Sequence, residues 1–404
     1  MFVARGGTRL ARTGLPCIAE ISASASASYH HHHHHLLRAT FQAKALSPQV
    51  TRGFSRTARV TTRCGPTAFC GRKSQIRSSQ RMYTTPAAGG TSPNDLGDRC
   101  GVESTTTGEP TIHAIFEENT STWQYIVSDP ASSAAVIIDP VLDYDRATQT
   151  ITTGSADALL QKVRDCGYKI EMILETHAHA DHLTAASYLQ NRLAHLQHGQ
   201  KPPVGIGKRI EQVQNLFGAR YGVPVEEYKG VFGKLFDDDE VFHIGGLKAT
   251  TVHLPGHTPD HLGYRIGENI FCGDSIFHAD IGTARCDFPG GSAHALFQTG
   301  RKLLSLPDDV KIWTGHDYPP DDRPRPCPWM TVEEHRRLNR HLRDGTGEDE
   351  YIALREARDA QLPAPRLLHQ SLQFNIRAGR LPAPTKAGFR LLHLPLRLDE
   401  VEEW

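Results

Sequence analysis

The densest chemical signal in the chain is Thr176-His177-Ala178-His179-Ala180-Asp181-His182, which packs three imidazoles and a carboxylate into six residues. It follows the apolar run Met172-Ile173-Leu174, where a strand gives way to a turn. Extended backbone sends residues i and i+2 to the same side, so the spacing predicts that His177 and His179 converge on one point. Asp181 and His182 come from the turn beyond and can face a second point nearby. Imidazole and carboxylate suit Zn, Fe or Mn, and the cluster contains no thiolate. Three later segments offer one donor each: Pro255-Gly256-His257-Thr258, Cys272-Gly273-Asp274 and Gly315-His316-Asp317. Their glycines allow close backbone approach. The ordered set is seven donors: His177, His179, Asp181, His182, His257, Asp274 and His316.

Such donors need strands that end together. Residues 111–116, 122–127 and 134–139 are short β-branched or aromatic runs broken by Asn, Ser, Pro and Asp, and read as successive strands. A helix is predicted over 156–166, where Leu159, Leu160 and Val163 share a face, and others over 184–196, 208–219 and 294–306. Strands are expected at 247–254, 269–273 and 311–313. Interleaved strands and helices with polar clusters at strand ends predict an α/β layered domain. Beyond Pro328 the pattern becomes two charged helices, 331–343 and 347–361, then a Pro-rich tail. No repeat of 20–50 residues is present. The expected organisation is a leader and linker over 1–94, a catalytic domain over 106–330, and a helical extension with tail over 331–404 packed on that domain.

The balance of 45 basic and 45 acidic residues hides a division along the chain. Residues 1–94 hold 13 basic side chains and one acid, Glu20, leaving 32 basic and 44 acidic residues beyond them. An Arg- and Ser-rich, acid-poor leader predicts organelle import. The stretches Arg52-Gly53-Phe54-Ser55 and Arg81-Met82-Tyr83-Thr84 resemble mitochondrial processing sites, so the mitochondrial matrix is the expected location. A nucleic-acid-binding arm is the alternative, but no aromatics interleave with the arginines and the remainder is acidic. The run His30 to His35 reads as a tag or a low-complexity tract and stands outside the metal argument. The eight cysteines show no Cys-x-x-Cys spacing, which argues for free thiols in a reducing compartment. No apolar run approaches the ~18 residues of a membrane span.

The seven ordered donors resemble those of the metallo-β-lactamase superfamily, which implies an αββα sandwich with the metal at one edge of the sheets. Within it, Gly273 to Phe277, Asp280-Ile281-Gly282-Thr283-Ala284-Arg285-Cys286-Asp287-Phe288-Pro289-Gly290-Gly291, His316-Asp317-Tyr318, Thr331 to His335 and Asn375 to Gly379 are similar to the persulfide dioxygenase (sulfur dioxygenase) family. The likeness runs from about residue 111 to about 395. It implies one Fe(II) per chain held by His177, His257 and Asp274. His179, Asp181, His182 and His316 take the second-metal positions of the related hydrolases, or orient groups around the iron. Two imidazoles and one carboxylate leave iron open to O2 and substrate. The implied reaction converts glutathione persulfide, O2 and water into glutathione and sulfite, in sulfide catabolism. The expected partners are glutathione persulfide and O2, with no nucleic acid, no membrane span and room for a homodimer. Arg285 would pair with a glutathione carboxylate, or else with Asp280 or Asp287. Tyr318 would hydrogen-bond substrate or pack as an aromatic, and Arg377 is a weaker substrate-binding candidate. His253, His261, His278 and His294 read as structural, and Cys286 as a small buried side chain. The stretch 196–233 and the acidic run 237–240 follow longer members of the family. The alternative is a binuclear Zn(II) hydrolase, a glyoxalase II-like glutathione thioesterase or a lactonase, because all seven donors are present.

Overall fold

The computed structural model describes residues 101–102, 108–396 and 398; the basic leader, the His30–His35 run and four cysteines lie outside them. The chain opens with β1 (Gly101–Val102), β2 (Thr111–Glu117), β3 (Thr122–Ser128) and β4 (Ala134–Ile138), each antiparallel to the last. Then come β5 (Val141–Asp145), β6 (Thr150–Thr152), α1 (Gly154–Cys166), β7 (Lys169–Leu174), β8 (Leu183–Thr184) and α2 (Ala186–Leu196). β9 (Val204–Gly207), α3 (Ile210–Tyr221), α4 (Val225–Tyr228) and β10 (Lys234–Phe236) complete the first half. The second half holds β11 (Val241–Ile244), β12 (Leu247–His253), β13 (Leu262–Ile266), β14 (Asn269–Phe271), α5 (Ala293–Leu304), β15 (Lys311–Trp313) and β16 (Trp329–Thr331). α6 (Val332–Leu338), α7 (Glu348–Asp359) and α8 (Leu368–Asn375) follow.

Two sheets face each other. One has seven strands in the order β1-β2-β3-β4-β7-β9-β10, the other six in the order β11 to β16, and β6-β5-β8 make a small third sheet. Period-two alternation builds both cores at once. Trp123, Tyr125, Val127, Val136 and Ile138 point inward against Tyr264, Phe271 and Trp313 of the second sheet. Ile126, Ala135 and Ile137 point outward and are covered by Leu159 and Val163 of α1 and Leu189 and Leu193 of α2. The outer face of the second sheet is closed by Leu296, Leu303 and Leu304 of α5 with Tyr351 of α7. The layering is αββα, the arrangement that the resemblance implied.

Local chemistry sets the helix ends. α1 stops at Gly167, whose left-handed φ of 67° lets its N–H return to the last turn. α6 starts at a capping box of Thr331 and Glu334. The single helix expected over 331–343 ends early, because Asn339 Oδ1 accepts the N–H groups of His341 and Leu342 and its Nδ2 donates to the Gly282 carbonyl. The region expected as a Pro-rich tail contains α8, whose Leu372 and Phe374 are buried. Flanking prolines masked its short apolar period. Among the described residues, no helix is long and apolar enough to cross a membrane.

Candidate metal centre

The donors arrive from loops that leave strand ends. β7 runs into His177–His182, β12 into His257, β14 into Asp274 and β15 into His316. Trp123 N–H donates to the Gly315 carbonyl at 2.8 Å, joining the two sheets at this edge. His177, His257 and Asp274 each offer an atom within 4.8 Å of the other two. His179, Asp181 and His182 form a second such group. His316 Nε2 lies 3.3 Å from Asp181 and 3.5 Å from Asp274, between the groups. The expected convergence of His177 and His179 on one point is therefore corrected. The two rings lie side by side, with centroids 4.2 Å apart, but their donor atoms fall in different groups, and two buried carboxylates hold His179 Nε2.

Hydrogen bonding leaves each imidazole one nitrogen for the site. Thr176 Oγ1 donates to Asp139 at 2.8 Å and so accepts from His177 Nδ1 at 3.0 Å, freeing His177 Nε2. His257 Nδ1 donates to the Arg285 carbonyl at 2.7 Å, and His316 Nδ1 to the Ser121 carbonyl at 3.1 Å. His182 Nδ1 faces the Asp181 carboxylate at 3.1 Å. His179 Nε2 is held between Asp139 at 3.1 Å and Glu175 at 3.3 Å. His177 Nε2, His179 Nδ1, His182 Nε2 and Asp274 Oδ1 are buried with no hydrogen-bond partner. Orphaned atoms of this kind are costly unless something binds them. Oriented imidazoles with free nitrogens beside a carboxylate fit a cation.

The charges are shaped accordingly. Burial and the neighbouring imidazoles push the His177 pKa well down, which keeps its ring neutral. Burial opposes protonation of His179, but Asp139 and Glu175 outweigh it and raise its pKa well above the ordinary value. Partial burial opposes ionisation of Asp181, yet His316 and His182 hold its carboxyl well below the usual range. Burial raises Glu175.

Several residues that position the donors carried no sequence signal. Asp139 sits at a left-handed φ of 49° just past β4 and binds both the N–H and hydroxyl of Thr176. Asp260 accepts the Ala178 N–H at 2.9 Å, and His261 Nε2 accepts the Asp274 N–H at 3.0 Å. Asn375 of α8 donates to the carbonyls of both His179 and His182 at 2.8 Å and accepts the Thr184 N–H. It opens the Asn375–Gly379 motif, the one clue in the sequence.

A cavity of about 390 Å³ opens over the centre. Asp181, His257, Asp274 and His316 line its floor, Phe277, Ile281 and Tyr318 its walls. Tyr318 is half exposed and stacks on His316 with ring centroids 5.8 Å apart. Arg285 also lines the cavity, but its guanidinium is bidentate to Asp287 at 2.6 Å and donates to the Pro363 carbonyl. Of the two readings of Arg285, the internal pair is the one formed. Arg377 corrects the sequence reading: it is buried, pairs with Glu227 at 2.7 Å and does not line the cavity. Arg358 and Arg366 at the mouth were missed; among the described residues neither forms an ion pair. They lie in charged or Pro-rich stretches that read as solvent-facing.

The metallo-β-lactamase superfamily model matches residues 120–316, from the β2–β3 turn to His316. Glyoxylase B2 of Dictyostelium discoideum is 39% identical over 288 residues, covering 70% of this chain and 96% of that protein. The chain belongs to the metallo-β-lactamase superfamily. A β-lactamase hydrolase-like protein of Xylella fastidiosa is 43% identical over 298 residues, 73% of this chain and 67% of its own length. The human mitochondrial persulfide dioxygenase ETHE1 is 27% identical over 271 residues, 66% of this chain and 88% of that protein. Among solved structures, ETHE1 from Myxococcus xanthus superposes with a TM-score of 0.52 at 26% identity, covering 67% of this chain and 99% of that one. The resemblance to persulfide dioxygenases is thus distant, and relatives named for hydrolases lie nearer in sequence.

Proposed function

We propose that this metalloenzyme is an iron-dependent persulfide dioxygenase that converts glutathione persulfide, O2 and water into glutathione and sulfite. The observation that carries the reading is the buried group of two imidazoles and one carboxylate, His177, His257 and Asp274, beneath an open cavity. When bound there, iron supplies the redox chemistry, and the protein supplies orientation and charge. The Arg285 carbonyl turns His257 so that Nε2 faces the centre, and Thr176 does the same for His177. Phe277, Ile281 and Ala284 give the persulfide an apolar wall. Arg358 and Arg366 offer positive charge for the carboxylates of the carrier, in a domain that is otherwise acidic. The segment Asp280–Gly291, similar to dioxygenases, frames this cavity. The Arg-rich leader supports delivery to the mitochondrial matrix.

A second reading is a binuclear hydrolase acting on a glutathione thioester. The additional group His179, Asp181 and His182 favours it, as does the relative named as hydrolase-like. One experiment separates the two: metal content of anaerobically purified protein, measured with O2 uptake on glutathione persulfide. The dioxygenase requires one iron per chain and O2 consumption, lost in Asp274→Ala and with iron retained in His179→Ala. Two zinc ions with full hydrolysis of a glutathione thioester and no O2 uptake would establish the hydrolase instead.

A further inference from the structure

Two irregular loops leave the neighbouring parallel strands β14 and β15 and meet in the lining of the cavity, where Phe277, His316 and Tyr318 pack on one another. The first carries Asp274, Phe277, Asp280 and Ile281; the second carries His316, Asp317 and Tyr318. At their bases they are joined by backbone, with Gly315 N–H donating to the Gly273 carbonyl at 2.9 Å. Farther out the link is Arg323. Its NH1 and NH2 groups donate to the two oxygens of Asp317, both at 2.7 Å. Its Nε and NH2 donate to Asp280 at 2.7 and 3.1 Å. NH1 also reaches the Arg325 carbonyl at 3.0 Å. Asp317 is fully buried, and the Cys327 N–H is its other donor, at 2.6 Å.

We infer that Arg323 is a positioning residue, clamping Asp317 to Asp280 so that the Tyr318 loop and the Phe277 loop keep one fixed arrangement where their rings meet in the cavity lining. The rings of Phe277 and Tyr318 meet edge to face, with centroids 6.3 Å apart, in the lining of the cavity that Arg323 never enters. A planar guanidinium can serve two carboxylates at once, and an ammonium cannot reproduce that fork. The inference rests on reading this cavity as the substrate site.

The test uses the full-length, iron-loaded protein. In Arg323→Gln, KM for glutathione persulfide should rise about tenfold while kcat stays within about threefold and iron content is unchanged. Arg323→Lys should restore thermal stability more than it restores KM. Asp280→Asn, which spares the buried Asp317 pair, should raise KM in the same direction if Arg323→Gln folds poorly. In a Tyr318→Ala background the KM effect of Arg323→Gln should vanish, because Tyr318 is the group through which the clamp acts. Hydrogen exchange, which needs no turnover, should quicken in both 277–287 and 316–327 in Arg323→Gln. Lower stability with unchanged KM, an additive cycle with Tyr318→Ala, or quickened exchange in one loop alone would overturn the inference. If the wild type consumes no O2 on glutathione persulfide, the proposed reaction fails, while the exchange result still decides the clamp.

Discussion

Replacing Gly315 with alanine tests the centre through space rather than through a ligand. A Cβ at Gly315 would stand well under 3.0 Å from Asp274 Oδ1 and 3.0 Å from the Gly273 carbonyl carbon. Ordinary carbon–oxygen contact requires the carboxylate to retreat by about 1 Å. Metal–ligand distances tolerate only about 0.2 Å, so Asp274 would cease to be a ligand without being mutated. Affinity should fall by more than the roughly 10–100-fold that loss of an outer hydrogen-bond partner costs. The overpacking itself costs about 1–3 kcal/mol, or roughly 2–4 °C in Tm for each kcal/mol in a domain of this size. Gly347→Ala is the control, because nothing lies within 4 Å of its added methyl and its φ is −77°. Metal titration and melting curves, with and without iron, give the readout. A Gly315→Ala protein that bound iron with wild-type affinity would refute the assignment of Asp274 and the geometry behind it.

Arg358→Gln and Arg366→Gln should each raise KM for glutathione persulfide about threefold to tenfold with little change in kcat, an effect that shrinks with added salt; initial rates at two ionic strengths check this. Arg377→Ala should leave KM and iron content unchanged yet destabilise the fold by about 3 kcal/mol in urea unfolding, because Glu227 loses its partly buried partner. Burial pushes the His335 pKa down to about 3, so this residue stays neutral in the fold while the unfolded chain takes up a proton below about pH 6.5. The folded pKa lies below the unfolded one, so its share of stability is complete above pH 6.5 and is lost as pH falls toward 3. Between pH 7 and 5.5 the loss is about 1 kcal/mol, and His335→Gln should remove that part of the pH dependence of urea unfolding.

The α/β layering was legible because β-branched runs with period-two alternation are long enough to read, as in β2 to β4, whereas the αββα arrangement was what the resemblance implied. The donors were legible because histidine and aspartate gather where β7, β12, β14 and β15 end. Their grouping was not legible from spacing alone; it came from the resemblance, which set His177, His257 and Asp274 apart from His179, Asp181 and His182, as the donor atoms are found. Arg377 failed for a related reason. Residue type identifies a cation, but whether it is free depends on a partner brought by folding, as Glu227 is to Arg377; the Arg285–Asp287 pair, two residues apart in the chain, was one of the two readings open in the sequence. Asn339 shows the same limit for a helix boundary, ending α6 through contacts to Gly282 across the structure.

Asn375 lies almost 200 residues beyond the carbonyls of His179 and His182 that it grips. A nascent chain reaching residue 362 holds all seven donors but lacks the brace on the loop that carries four of them. The brace on the donor loop therefore exists only once the chain extends through α8. A product clipped before α8 should bind metal more weakly than the longer chain, which a metal titration of the two checks.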